Sequence, residues 1–98
     1  MDKVVERFVK YIGIDTKSDE NSNSIPSTKG QLKLGKLLAE ELKGLGLRDV
    51  KQDEYGYIYA TLKSNIDKKV PTIGFISHLD TCPDLVQRFL SMRVEILN

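Results

Sequence analysis

The chain has 98 residues, and its charges nearly balance, with 15 Lys and Arg against 14 Asp and Glu. This length predicts one domain with a modest core. The net charge of +1 gives no electrostatic basis for binding nucleic acid or a membrane surface. The single cysteine excludes an internal disulfide, and no stretch has the length of a membrane span or the pattern of a secretory signal. A soluble protein of a reducing compartment, the cytoplasm, is therefore expected.

Two segments have the apolar periodicity of amphipathic helices. The first covers residues 2–13. The second begins near Thr28, which has the spacing of a capping box with Gln31, and it ends at Gly44 or Gly46. Its apolar face is predicted to be core and consists of leucines: Leu34, Leu37, Leu38, Leu42 and Leu45.

The segment between the two helices, residues 14–28, is polar and rich in turn-forming residues. It predicts a long loop that is either a solvated connection or part of a substrate mouth. After the second helix, a short strand is predicted from Val50, a turn at residues 53–56 and a second strand over residues 57–62. Strand alternation puts three tyrosines on one partly exposed face of this pair: Tyr55, Tyr57 and Tyr59.

A third strand is predicted at residues 71–76, where a short β-branched and aromatic run follows Pro71. Such a run indicates a strand buried on both faces, as in a parallel or mixed sheet that helices cover. The predicted fold class is therefore α/β, with two helices packed on a small mixed sheet that keeps an open edge.

A cluster of chemically active residues follows this third predicted strand. His78 and Asp80 are two residues apart, so in extended chain their side chains point the same way. A carboxylate beside an imidazole fixes its tautomer and raises its basicity, which a metal ligand or a general base requires. Spacing alone favours a histidine that is satisfied by a local hydrogen bond over a metal ligand.

Cys82 offers a second chemistry, as a nucleophile with His78 as its base and Asp80 orienting the imidazole. No glycine-rich oxyanion loop flanks this cysteine, and Pro83 removes a neighbouring backbone donor. An inert cysteine is the better interpretation.

Residues 76–84, Ile-Ser-His-Leu-Asp-Thr-Cys-Pro-Asp, resemble the first metal-binding motif of the M20 family of zinc metallopeptidases, in particular its tripeptide aminopeptidases. The likeness extends upstream to residues 6–12, 15–16, 26–31 and the acidic turn at 53–54. Together these segments are far more specific than an isolated His-x-Asp.

The resemblance implies that residues 1–84 are the N-terminal portion of an M20-type catalytic domain. The implied activity is zinc-dependent release of the N-terminal residue from tripeptides, so that the substrate is a small peptide. His78 would ligate one zinc of a two-zinc centre. Asp80 would belong to the catalytic residues as the hydrogen-bond partner of that histidine.

The remaining family ligands come from sequence well beyond residue 98, and this chain contains one histidine. A two-metal site needs ligands for both ions, so we expect this chain alone to be inactive and to bind zinc weakly or not at all. Residues 85–98 diverge from the family, which indicates a truncated or frameshifted reading frame. The alternative is a non-catalytic α/β module that forms a homo-oligomer through its sheet edge and the apolar side chains of that tail: Leu85, Phe89, Met92 and Ile96.

Overall fold

A computed structural model describes residues 2–82, which form two helices followed by a hairpin of two strands. Helix α1, Lys3–Ile12, confirms the predicted first helix. Its N-terminus is capped by Asp2, whose side chain accepts a hydrogen bond from the backbone N–H of Val4 at 3.0 Å. On the apolar face of this helix, Val9 is buried.

Helix α2, Lys29–Gly44, confirms the second predicted helix, but the predicted capping box is wrong. Thr28 is the N-cap residue and makes no capping hydrogen bond with its side chain. Its hydroxyl instead donates to the carbonyl oxygen of Lys17 at 2.9 Å, and the Gln31 amide donates to the hydroxyl of Ser27 at 3.1 Å. Both side chains therefore hold the preceding loop against the helix.

Helix α2 ends at Gly44, one of the two glycines at which its end was predicted. Gly46 has φ of +86°, and its N–H donates to the carbonyl oxygen of Lys43 at 3.0 Å. The N–H of Leu47 donates to the carbonyl oxygen of Leu42 at 3.2 Å. These two bonds form a Schellman motif, which requires a residue that tolerates a left-handed conformation.

Strands β1, Arg48–Gln52, and β2, Ile58–Thr61, pair in antiparallel orientation. The Asp53 side chain organises the turn between them, because it accepts hydrogen bonds from the N–H groups of Tyr55 and Tyr57 at 3.0 and 2.9 Å. The tyrosine face of this hairpin is exposed, as predicted: Tyr55, Tyr57 and Tyr59.

Helix α2 packs closely on the hairpin. Gly35 permits the approach, because a Cβ there would lie 2.6 Å from Gln52 Nε2 and 2.8 Å from Ile58 Cδ1. Gln52 also donates a hydrogen bond to the carbonyl oxygen of Leu32 at 3.1 Å. The α/β class is thus confirmed. No helix within residues 2–82 has both the length and the apolar character to cross a bilayer.

The third predicted strand is wrong. Residues 71–76 have no strand partner within residues 2–82, and the described sheet is a two-stranded antiparallel hairpin, not a mixed sheet. Ile73, Phe75 and Ile76 are 75%, 95% and 101% exposed, where burial on both faces was predicted. A strand exists only where a neighbouring strand pairs with its N–H and C=O groups, and residues 2–82 provide none here. The predicted tail and Asp84 lie outside the described residues.

Helices α1 and α2 are joined by a polar contact at their facing surfaces. Glu41 accepts hydrogen bonds from the Lys10 ammonium, at 2.8 Å, and from the Tyr11 hydroxyl. Burial, reinforced by the hydrogen bond to Glu41, raises the pKa of Tyr11 to about 12. The hydrogen bonds from Lys10 and then Tyr11 lower the pKa of Glu41.

Tyr11→Phe is expected to lower the free energy of unfolding at neutral pH by about 1 kcal/mol, the net value of one hydrogen bond. Because the pKa of Tyr11 is higher in the folded than in the unfolded chain, the protonated hydroxyl contributes to the free energy of unfolding. This contribution is complete below pH about 10, the ordinary tyrosine value, and is lost as the pH rises towards about 12. The variant should therefore show a shallower loss of stability over that pH range in urea titrations. Glu40→Gln is the control, because Glu40 and Lys43 form an exposed pair at 3.7 Å. If the free energy of unfolding of Tyr11→Phe fell with alkaline pH as steeply as that of the parent chain, Tyr11 would not be the group whose raised pKa stabilises the fold.

Candidate functional site

The predicted pair of His78 and Asp80 is in contact. His78 Nδ1 lies 2.8 Å from the carbonyl oxygen of Asp80 and 3.1 Å from its Oδ1. A carbonyl oxygen only accepts hydrogen bonds, so Nδ1 carries the hydrogen and donates it. In the neutral imidazole the lone pair is then on Nε2. The His78 side chain is 83% exposed, which leaves this atom accessible.

This tautomer suits a metal ligand, because a ligating histidine donates its other ring N–H to a carboxylate or a backbone carbonyl. Here Asp80, two residues after His78, provides both kinds of acceptor, its carboxylate and its backbone carbonyl oxygen. The site is incomplete within residues 2–82, where no group of three His, Cys, Asp or Glu side chains is placed to hold a metal ion. A structural or catalytic zinc takes at least three protein ligands. His78 alone therefore does not make a zinc site within the described residues.

Cys82 is a free and exposed thiol. Among the described residues no hydrogen bond joins it to His78, whose Nδ1 is occupied by Asp80. The nucleophile–base contact that a cysteine hydrolase needs is therefore not formed in this part of the chain.

The loop before α2 holds the site segment in place through backbone hydrogen bonds. The N–H of Thr81 donates to the carbonyl oxygen of Thr16 at 3.1 Å, and the N–H of Ser18 donates back to that of Thr81 at 3.0 Å. Thr16 is 3% exposed, the most buried polar residue of the described core. These two hydrogen bonds between the loop and Thr81, called the clamp below, were not predicted from the sequence. The sequence feature that could have indicated this contact is Thr16, a β-branched residue at the edge of a loop rich in Ser, Asn and Asp.

An apolar hollow of about 490 Å³ lies beneath the site segment. Phe8 and Ile12 of α1 and Leu34 and Leu38 of α2 form its walls, and residues 77–81 close one side. His78 and Asp80 are therefore among the residues that line this hollow. No catalytic geometry beyond this pair is built by the described residues.

Comparison with known proteins identifies the relatives of this chain. No family model matches it. Over 94 residues it is 58% identical to the peptidase T of Clostridium botulinum, a match that covers 96% of this chain and 23% of the relative. Over 85 residues it is 61% identical to the peptidase T of Clostridium perfringens, which covers 87% of this chain and 21% of the relative.

These relatives are peptidases, so the chain derives from a peptidase family. Its sequence is similar in particular to that of peptidase T, and it spans about a fifth of the length of the relatives it matches. The match to the Clostridium botulinum protein extends past residue 84. The boundary expected there, between the family-like residues 1–84 and the divergent residues 85–98, stays a prediction.

Proposed function

We propose that this chain is the N-terminal portion of a zinc-dependent tripeptide aminopeptidase of the M20 family. The observation that carries the proposal is the hydrogen bond from His78 Nδ1 to Asp80, which leaves Nε2 accessible as a ligand. Support comes from the identity of 58–61% to peptidase T over a stretch that includes most of the chain. A single cysteine is consistent with the reducing cytoplasm as its location.

In this proposal His78 binds one zinc ion, and Asp80 fixes the ring orientation and increases the basicity of Nε2. When bound, zinc would supply Lewis-acid polarisation of the peptide carbonyl and activation of water. The further ligands and the general base would come from the rest of the enzyme, since residues 2–82 do not provide them.

The isolated chain is expected to hydrolyse no tripeptide, with or without added zinc, because a two-metal site needs several ligands and the described residues place no group of three that could hold a metal ion. Zinc binding, measured by calorimetry, should be weak at best. Clear turnover by homogeneous protein would contradict this expectation.

The proposed function is tested in a chimera, in which this chain replaces the matched residues of the Clostridium perfringens peptidase T. The exchanged residues are 61% identical in sequence over 85 positions. We expect the chimera to release the N-terminal residue of tripeptides and to lose this activity when a chelator removes its metal. Adding zinc should restore the activity. A folded chimera that binds zinc and remains inactive would refute the proposed function.

Self-association is a second candidate function, which the exposed apolar side chains of Ile73, Phe75 and Ile76 favour. An unpaired apolar segment is a template for pairing with another copy. Sedimentation at several concentrations separates the two candidates. A chain that stays monomeric throughout would contradict self-association.

A further inference from the structure

The segment that carries the candidate site is tied to the body of the fold at one residue, Thr81. Among the described residues, every hydrogen bond that joins residues 71–82 to the rest of the chain involves Thr81. In addition to the clamp, the Ser18 hydroxyl donates to the carbonyl oxygen of Thr81 at 3.4 Å. Asp80 directly precedes Thr81, so the position of both acceptors of His78 depends on this anchor.

Lys17 lies between the two loop residues of the clamp, and its backbone faces the other way. In extended chain the N–H and C=O groups of neighbouring residues point to opposite edges. The carbonyl oxygen of Lys17 accepts hydrogen bonds from the Thr28 hydroxyl at 2.9 Å and from the Gln31 amide at 3.4 Å. Its N–H donates to the Asp15 carboxylate at 3.1 Å. One edge of the loop therefore holds Thr81, and the start of α2 holds the other edge.

Gln31 is the buried member of this contact, with 9% of its surface exposed. Its Nε2 donates to the Ser27 hydroxyl at 3.1 Å as well as to the carbonyl oxygen of Lys17. A side-chain amide has two N–H donors, so both bonds can form at once. A buried polar group with all its partners fixes one arrangement of its surroundings, and loss of the donor would leave an acceptor unpaired.

We propose that Gln31 is a positioning residue for the His78–Asp80 pair. Gln31 fixes Lys17 from α2, and the clamp on the opposite edge of the loop then fixes Thr81. The pair thereby keeps the geometry in which Nδ1 of the imidazole donates to Asp80. The consequence for metal binding rests on the proposed function, in which Nε2 is the zinc ligand, whereas the positioning can be measured without metal.

The imidazole of His78 reports this positioning directly, because the chain contains one histidine. At mildly alkaline pH an ordinary imidazole is neutral, and nitrogen NMR of the isotope-labelled full chain distinguishes the ring nitrogen that carries hydrogen from the one that carries the lone pair. We expect the Nδ1–H tautomer to predominate. We also expect the N–H of Thr81 to be protected from hydrogen exchange, because it donates to Thr16.

Gln31→Glu replaces the amide with a carboxylate of the same shape, which accepts hydrogen bonds but cannot donate to Lys17. We expect this variant to lower both the ratio of Nδ1–H to Nε2–H tautomer and the protection of the Thr81 N–H about fivefold, the factor typical for the loss of one net hydrogen bond. Thr28→Val should change both in the same direction. Thr28→Ser keeps the hydroxyl and should retain the parent values.

Gln52→Glu is the matched control, because it makes the same change in a second glutamine that binds a backbone carbonyl of α2. The Gln52 amide donates to the carbonyl oxygen of Leu32 at 3.1 Å, where the helix faces the hairpin. We expect Gln52→Glu to lower stability in urea about as much as Gln31→Glu and to leave the tautomer ratio unchanged. A purely structural role for Gln31 would give the two variants the same tautomer ratio.

That equality would overturn the proposal, as would faster exchange of the Thr81 N–H in Gln31→Glu with no change of tautomer. A parent chain in which His78 is mainly the Nε2–H tautomer would overturn it as well. In the chimera, Gln31→Glu is expected to lower zinc affinity about fivefold relative to Gln52→Glu, following the loss of one hydrogen bond. A tautomer change in Gln31→Glu alone would support positioning even with an inactive chimera, and that inactivity would refute the proposed function only.

Discussion

His78→Ala in the chimera with the Clostridium perfringens enzyme is expected to lower kcat/KM for a tripeptide by more than about 100-fold, beyond the loss typical for a partner of a metal ligand. The physical reason is the loss of Nε2, the one ring nitrogen left free by the hydrogen bond of Nδ1 to Asp80. Metal analysis of the purified variant should show less bound zinc than in the parent chimera.

Asp80→Asn tests the positioning role of the carboxylate. The amide oxygen still accepts the hydrogen bond but carries no charge, so the basicity of His78 falls while its orientation is kept. We expect a loss of about 10- to 100-fold in zinc affinity or activity. Excess zinc should restore much of the activity of Asp80→Asn and little of that of His78→Ala. A merely structural role for Asp80 would give no such dependence on zinc.

Cys82→Ala serves as the matched control for both variants. The thiol lies two residues beyond Asp80, is exposed and forms no hydrogen bond to His78 among the described residues. Its removal should leave kcat/KM unchanged within about twofold. Abolished activity in Cys82→Ala, together with an unchanged zinc content in His78→Ala, would reverse the assignment in favour of a cysteine nucleophile with His78 as its base.

Most features of the fold that depend on local sequence were predicted correctly, and the capping box at Thr28 is the exception. The apolar periodicity located both helices, and the glycine at position 46 located the end of α2 with its left-handed residue. The Asp53 turn was predictable for the same reason, because its hydrogen bonds join residues at most four apart. The contact between His78 and Asp80 also spans two residues, so this pair could be predicted from the sequence.

Features that depend on distant residues were missed. The apolar run at residues 71–76 has the composition of a buried strand, but burial needs neighbours that residues 2–82 do not contain. The clamp between Thr16 and Thr81 joins residues far apart in the chain through backbone atoms, which leave no mark in side-chain patterns. Thr28 and Gln31 have the spacing of a capping box, but their side chains bind the preceding loop instead, at the carbonyl oxygen of Lys17 and the hydroxyl of Ser27.

Gly30→Ala is expected to destabilise the chain by about 3 kcal/mol, at the upper end of the cost of overpacking. Gly30 is the second residue of α2, and a Cβ there would overlap the carbonyl oxygen of Asp15 and lie 2.9 Å from its carbon. The obstacle is backbone, so it cannot move aside as a flexible side chain would. Helix propensity alone predicts the opposite sign, because alanine favours a helix over glycine by about 1 kcal/mol.

Gly44→Ala is the matched control within the same helix. No atom of residues 2–82 lies within 4 Å of a Cβ built at Gly44, the last residue of α2, so this change should be neutral or stabilise the fold by up to about 1 kcal/mol. Urea denaturation of both variants measures the difference. Equal midpoints would contradict the close approach of α2 to the loop.

The consequence of Gly30→Ala should extend to the candidate site. Asp15 precedes Thr16, whose carbonyl oxygen accepts the hydrogen bond from the N–H of Thr81. A displaced loop would therefore release the segment that carries His78 and Asp80. In the chimera, Gly30→Ala should weaken zinc retention as well as stability, whereas Gly44→Ala should leave both intact. Destabilisation without loss of zinc would mean that the clamp does not position the site.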